Sequence, residues 1–281
     1  MKRAFLIACC LVSACFQMSA WSRLGHSSIA EIAENHLTPK ARKAVNKYLN
    51  GEHMATFASI PDEYRKELDN MGLVAAHTYS VDGECQSCRE REYKGTKVVN
   101  CLLDIDRFAN DLYENQKSMN DTVRACEIII LVHIVGDMHC PGHVRYYPEF
   151  DAGYYDVMFN GQKSYFHGML DSDILTRPYP WSFSDIAKIC DVLPESEIRE
   201  IVSGDQYAWG HEHALNCIGI RSVPENGDVD GRWINDQTFL TRQCICNAGY
   251  RLAHILNILF DKGYARTKGG DFMDRIVSAG K

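Results

Sequence analysis

Apolar residues along this chain recur at helical rather than strand spacing. The clearest run is CEIIILVHIVGDMHCPGH, residues 126–143, which predicts an apolar helix over 122–139 stopped by Pro141 and Gly142. Ile29, Ile32 and Ala33 predict a helix over 27–36. Thr38 as cap, with Pro39 at the first helical position, opens a second that ends at Gly51. Ser59 as cap and Pro61 in the first turn start a third over 59–68. Further helices are predicted over 103–116, 167–175, 184–190, 195–203, 205–217 and 236–262. Residues 78–100 read as irregular, with room for a short hairpin, and 144–166 as a long loop rich in Tyr and Gly. Strand signals are scarce, repeats are absent, and no linker divides the chain. The expectation is an all-α fold, a single mostly helical domain.

Polar residues interrupt this pattern at telling places. His133 and Asp137 are four apart, hence on one helix face, and the Pro-Gly break lets His143 swing back toward them. His167 and Asp171 form another pair at the same spacing. Asp62 stands in a first helical turn with Arg65 three residues on, His77 follows, and Trp21 and His26 lie five apart. Taken singly, each has an ordinary explanation as a surface pair, a first-turn acid, a loop histidine or a buried aromatic. Taken together they resemble the way helical bundles build multinuclear metal sites. A histidine and carboxylate set without thiolate suits zinc in a catalytic role.

Composition narrows the partners. The chain has 281 residues, 46% of them apolar, enough for one large core. Its net charge is −7, so no bulk positive field holds a phosphate substrate; cations must do so. Residues 1–20 have a basic start, an apolar run from Ala4 to Ala14 and small residues at the end, the pattern of a secretory signal peptide. Two cleavage sites compete: after Ala20, leaving Trp21 first, or a lipobox-like Val12-Ser13-Ala14-Cys15 that would lipidate Cys15. No other stretch reads as a membrane span. Cleavage after Ala20 removes Lys2 and Arg3, leaving a net charge of −9, and leaves nine cysteines, at 85, 88, 101, 126, 140, 190, 217, 244 and 246. Export permits disulfides, and Cys85-x-x-Cys88, lacking a second pair at finger spacing, reads as a loop disulfide.

Trp-x-x-x-Gly-His at 21–26, LTPKARKAV at 37–45, Asp-x-x-Arg at 62–65, His77, VHIVGDMHCPGH at 132–143 and FHGMLD at 166–171 together resemble the S1/P1 nuclease family. These zinc-dependent single-strand nucleases and 3′-nucleotidases share a fold with the zinc phospholipases C. The resemblance implies three zinc ions in a cleft of a domain spanning 21–281. Asp62, His77, His133 and Asp137 would hold one; His143, His167 and Asp171 a second; Trp21 and His26 the third, with Asp137 shared. Trp21 would bind through its own backbone amine and carbonyl, which favours cleavage after Ala20. His139 would be an outer partner, and His36, His53, His211, His213 and His254 match no ligand position. Asp137 would orient the nucleophile and Arg65 would neutralise the phosphoryl oxygens, giving 5′-phosphate products from single-stranded DNA or RNA or from a 3′-nucleotide. An exported, monomeric enzyme without stable membrane insertion is expected.

A phospholipase C would carry its first histidine further from the terminal Trp and typically a Glu as last ligand; here the gap is five and the residue is Asp171. A non-catalytic zinc-binding surface protein would have no use for Arg65. The chain departs from the family at Cys140-Pro141-Gly142-His143, at Tyr165-Phe166-His167, at Leu170 and in Asp151-Ala152-Gly153-Tyr154-Tyr155. Tyr146, Tyr147, Tyr154, Tyr155 and Tyr165 are there either stacking platforms or parts of a packed loop.

Overall fold

The computed structural model of the protein describes residues 21–178 and 180–279. The signal segment, Cys15 and the two cleavage sites lie outside these residues. Helices α1 (Arg23–Asn35) and α2 (Pro39–Tyr48) are followed by three short ones, α3 (Met54–Phe57), α4 (Ile60–Glu63) and α5 (Arg65–Asn70). After the strands β1 (Tyr79–Val81), β2 (Glu92–Tyr93) and β3 (Thr96–Lys97) come the long helices α6 (Cys101–Asn115) and α7 (Asp121–Asp137). Strands β4 (Val144–Tyr146), β5 (Asp156–Phe159) and β6 (Gln162–Tyr165) precede α8 (Phe166–Gly168) and α9 (Ile174–Thr176), which flank a π-helical segment at Met169–Asp173. The remainder is α10 (Phe183–Cys190), α11 (Glu195–Ile201), α12 (Gln206–Cys217), β7 (Asp228–Val229), α13 (Gly231–Asp236), α14 (Thr238–Phe260), α15 (Lys262–Lys268) and α16 (Gly270–Ala279). The protein is thus a single mostly helical domain, as expected.

Helix α14 is the axis. Its residues from Cys244 to Leu259 are buried on every side, and α1, α2, α6, α7 and α10 pack around it. A helix apolar all round has no solvent face, so it can only be central. Gly249 is where α1 crosses: a Cβ there would stand 2.5 Å from Ile32 Cγ2. Helix α7 is enclosed over its C-terminal half, from Ile130 to Asp137, and there it carries His133 and Asp137, both fully buried. Burying an imidazole and a carboxylate in an apolar helix is costly unless partners compensate.

Local chemistry sets most boundaries. Thr38 accepts from Ala41 N at the start of α2, Asn100 from Leu102 N at α6, and Asn120 from Thr122 N at α7. Asp205 caps α12 through Tyr207 N and Ala208 N. The helix expected over 59–68 is broken at Tyr64 (φ −123°), and Ser59 makes no side-chain cap. Helix 236–262 is split at Gln237, and the short α3 and the C-terminal α15 and α16 were not anticipated. Two strand features correct the reading of 144–166 as a loop. β4 pairs in parallel with β1, Tyr79 opposite Val144, and β5 and β6 form a hairpin. The hairpin turns on Asn160 (φ +48°) and Gly161 (φ +75°), a two-residue Asn-Gly turn whose signal stood in the sequence. The short hairpin within 78–100 is present as β2 and β3. All nine cysteines among the described residues are thiols, including Cys85 and Cys88, so the expected loop disulfide is not formed.

Candidate metal centre and nuclease cleft

Four elements deliver the polar residues to one buried point. His26 comes from α1, Asp62 from α4, His77 from the segment before β1, and His133 and Asp137 from α7. Asp137 is the hub: its Oδ1 lies 3.3 Å from His26 Nε2 and 3.7 Å from His143 Nδ1. Its Oδ2 lies 2.8 Å from His77 Nδ1 and 3.2 Å from His133 Nε2. Asp62 Oδ1 is 3.4 Å from His77 Nδ1 and 3.5 Å from His133 Nε2. The rings of His26 and His133 stack at 4.0 Å.

A second group adjoins the first. His143, on the turn of 3₁₀ helix at Pro141–His143, puts Nε2 3.6 Å from Asp171 Oδ1. His167 Nε2 lies 3.1 Å from Asp171 Oδ2. Asp171 sits in the π-helical segment, the kind of local widening that often marks functional sites. Cys140, not foreseen here, donates its thiol to Asp171 Oδ1 at 3.2 Å; burial and the neighbouring Asp171 push that thiol well above its ordinary range, so it stays protonated.

Outer contacts fix the rings. His133 Nδ1 faces the carbonyl of Ala58 at 2.8 Å, His143 Nδ1 that of His77 at 2.6 Å, and His167 Nδ1 that of Ala152 at 2.7 Å. An imidazole whose one nitrogen donates to a backbone carbonyl presents the other as a lone pair, the usual device for orienting a metal ligand. Both ring nitrogens of His26, both oxygens of Asp137 and Oδ2 of Asp171 are buried without a hydrogen-bond partner. Groups converging at ion-pair distance, but misaligned for hydrogen bonds, are arranged around points between them. His26, Asp62 and His133; His77, His133 and Asp137; and Cys140, His143 and Asp171 each bring ligand atoms within 4.8 Å of one another. These donors fit divalent cations.

The electrostatics agree. Burial opposes ionisation of Asp137, but His133, His77 and His143 outweigh it and hold its carboxyl well below the ordinary range. Asp62 is likewise held well down against burial, chiefly by His133. Burial would depress His143, yet Asp137 and Asp171 raise it to about 9. His133 is raised well above its usual value by Asp137 and Asp62, again against burial. Burial dominates at His26 and His77, which are lowered. Burial likewise opposes ionisation of Asp171, but His167 and His143 hold it low, so three ionised carboxylates converge on points that cations would neutralise.

A cleft of about 360 Å³ leads down to this cluster, lined by Arg65, His77, Thr78, His143, Arg145, Tyr154 and His167 among others. Arg65 Nη2 stands 3.7 Å from Asp62 Oδ1 with its side chain half exposed. Arg145 was not anticipated; its Nε donates to Thr78 Oγ1 at 2.8 Å, and only the unrecognised pairing of β4 with β1 brings it there. The tyrosines divide. Tyr146 and Tyr155 are packed, their hydroxyls donating to the carbonyls of Ala214 and Val223. Tyr147 packs edge-on to Tyr93 and Phe150. Tyr154 is exposed, lies 4.3 Å from the His167 ring and stacks loosely on Tyr165.

Trp21 is fully buried, and the next residue ties the chain start to the second group, Ser22 N donating to the Asp171 carbonyl at 2.8 Å. His139 contacts none of the candidate ligands. It lies beyond the end of α7 and faces away, Nδ1 toward the Val135 carbonyl and Nε2 accepting from Arg251. His36, His53, His211 and His254 pair with Asp191, Glu34, the Cys85 carbonyl and the Tyr264 hydroxyl. His213 is buried against two cysteines.

A mostly helical domain that gathers histidines and aspartates from separate elements at the base of a cleft is of the class that builds metal sites between its helices, and here it offers candidate metal-binding clusters. The S1/P1 Nuclease family model matches residues 21–261, and the chain belongs to that family: it is a nuclease, a hydrolase. It is 21% identical to Endonuclease 1 of Arabidopsis thaliana over 92% of each chain. It is 22% identical to Nuclease P1 of Penicillium citrinum, over 77% of this chain and 97% of that one. With Nuclease S1 of Aspergillus oryzae it shares 21% identity over 85% of this chain and 91% of the relative. No helix among the described residues is long and apolar enough to cross a membrane.

Proposed function

We propose that the mature protein is an exported, zinc-dependent endonuclease that cleaves single-stranded DNA or RNA to 5′-phosphate and 3′-hydroxyl ends and also accepts 3′-nucleotides. The observation that carries this reading is the set of buried, unpaired ligand atoms on His26, Asp137 and Asp171 at the foot of the cleft. Asp62, His77, His133 and Asp137 would hold one zinc, and His143, His167 and Asp171 a second. His26 and the backbone amine and carbonyl of Trp21 would hold a third together with Asp137. Bound zinc supplies a hydroxide-like nucleophile at neutral pH and charge stabilisation for the phosphoryl group.

The chain's own residues do the rest. Asp137, kept ionised by its three imidazole neighbours, accepts a hydrogen bond from the attacking water and aims it at phosphorus. Arg65 donates to the phosphoryl oxygens as charge develops. The water's oxygen bonds to phosphorus as the bond to the 3′ oxygen breaks; one of the water's protons ends on that oxygen, which leaves as a hydroxyl, and the other passes to solvent from the new 5′-phosphate. Tyr154 and Tyr165 offer ring faces on which an unpaired base can stack, a contact a duplex cannot make. Cleavage after Ala20 frees the amine of Trp21, and residues 21–281 form the nuclease domain.

The test is metal analysis of the mature protein together with assays on single-stranded DNA, RNA and 3′-AMP, repeated with Asp137→Asn. The expected result is at least two zinc ions per chain. Activity should fall by more than about 100-fold in the variant, beyond what losing an outer partner costs. Fewer than two zincs, or activity indifferent to Asp137, would overturn the reading.

A further inference from the structure

The S1/P1-type cluster is not the only group of metal-binding side chains. Beyond the C-terminal end of α7, His213 and Cys217 of α12 meet Cys244 of α14, with one ligand atom from each within 4.8 Å of the others and all three residues buried. We propose that His213, Cys217 and Cys244 bind a thiophilic divalent ion, zinc foremost, as a structural clamp separate from the catalytic cleft.

Geometry is the first support. His213 Nδ1 lies 3.7 Å from Cys217 Sγ and 3.8 Å from Cys244 Sγ. Zinc bonds to nitrogen and sulfur of about 2.05 and 2.3 Å, at tetrahedral angles, set a nitrogen–sulfur edge of about 3.6 Å. The observed separations are within about 0.2 Å of that edge. Spacing is the second: His213 and Cys217 are one helical turn apart and face the same way. Chemistry is the third. Two buried thiols and an imidazole without stronger partners gain most from a soft or borderline cation, which two thiolates would neutralise.

The surroundings fit a clamp. A cavity of about 10 Å³ beside the ligands, lined also by Glu212, Asn216, Gln243, Asn247 and Arg251, is just large enough for one water, which would take the fourth position. The nearby Arg251 is engaged elsewhere, by Glu212 and by His139 Nε2 at 3.0 Å. The His213 ring also packs on His139 at 5.7 Å, just past the end of α7. An ion here would therefore join α12 to the central helix α14 and buttress the segment that leads into His143.

The experiment uses the mature protein, purified without chelator and exchanged with Co(II). The catalytic ligand set is nitrogen and oxygen, so a sulfur-to-cobalt charge-transfer band in the near ultraviolet reports a cysteine ligand. We expect that band in the wild type, its retention in Cys140→Ser, and its loss in Cys217→Ser and in His213→Gln. By mass spectrometry of the zinc form, the Cys217→Ser/Cys244→Ser double variant should carry one zinc equivalent fewer than wild type. Absence of the band from the wild-type protein, which needs no variant to fold, would overturn the site. So would a band lost in Cys140→Ser alone, or a Cys217–Cys244 disulfide in the non-reduced peptide map. None of these readouts depends on nuclease activity.

Discussion

At the residue scale, the chemistry turns on where each charge stands relative to solvent. Arg65 is the clearest case: it adjoins Asp62 yet stays half exposed over the cleft, where a fork of donors can reach two phosphoryl oxygens. Arg65→Ala should lower kcat by about 100- to 1,000-fold, the range for removing one preorganised donor, with zinc content unchanged. Arg65→Lys should recover only part of that, because an ammonium lacks the planar fork; steady-state kinetics beside metal analysis check both. Glu127 illustrates burial away from the cleft. Its Oε2 has no partner, and burial, reinforced by Asp111, raises its carboxyl from 4.5 to about 8. The native state then holds a proton that the unfolded chain has lost, so stability falls as pH rises through this window. Glu127→Gln should raise Tm most above pH 8 and have little effect below about 4.5, which thermal melts across pH would reveal. Individual ligands were legible from the sequence because a His/Asp pair at helical spacing points one way. Arg145 was not, since nothing local in Val144-Arg145-Tyr146 announces a strand partner 65 residues earlier, where Ser80 stands opposite it.

At the element scale, α7 is both core and active-site wall, and its glycine shows how the two roles conflict. An Ala at an interior helix position is favoured over Gly by about 1 kcal/mol. A Cβ at Gly136, however, would stand 2.8 Å from His26 Nδ1, and His26 is already stacked against His133 at 4.0 Å and has nowhere to retreat. Gly136→Ala should therefore keep the helical circular dichroism of the wild type while lowering zinc content by one equivalent through His26. Unchanged metal content would show that His26 holds none. The same tension explains what sequence periodicity could and could not deliver. The long, largely apolar α7 and α14 declared themselves by length and composition, whereas the break at Tyr64, between Asp62 and Arg65, carries no Gly or Pro at that point to announce it. The β5–β6 hairpin was different: Asn160-Gly161 carried its turn signal, and the tyrosine-rich composition around it was read as a loop instead.

At the scale of the whole molecule, the segment at Trp21 packs against the candidate metal centre. Trp21 is fully buried, the first turn of α1 folds back on it closely enough that a Cβ at Gly25 would lie 2.9 Å from Trp21 Cβ, and Ser22 is tied to the Asp171 carbonyl. A buried first residue with a free amine can offer that amine as a ligand, whereas a residue in mid-chain offers only an amide, which has no lone pair to give. Two proteins differing only in a Met placed before Trp21 should then differ by one zinc per chain, with lower activity in the extended form. A lipid-modified form beginning at Cys15 would behave like the extended one. N-terminal sequencing of the exported protein, read beside zinc content, separates the two maturation routes: a start at Trp21 goes with three catalytic zincs, and a start at Cys15 with three would remove the amine from the ligand set.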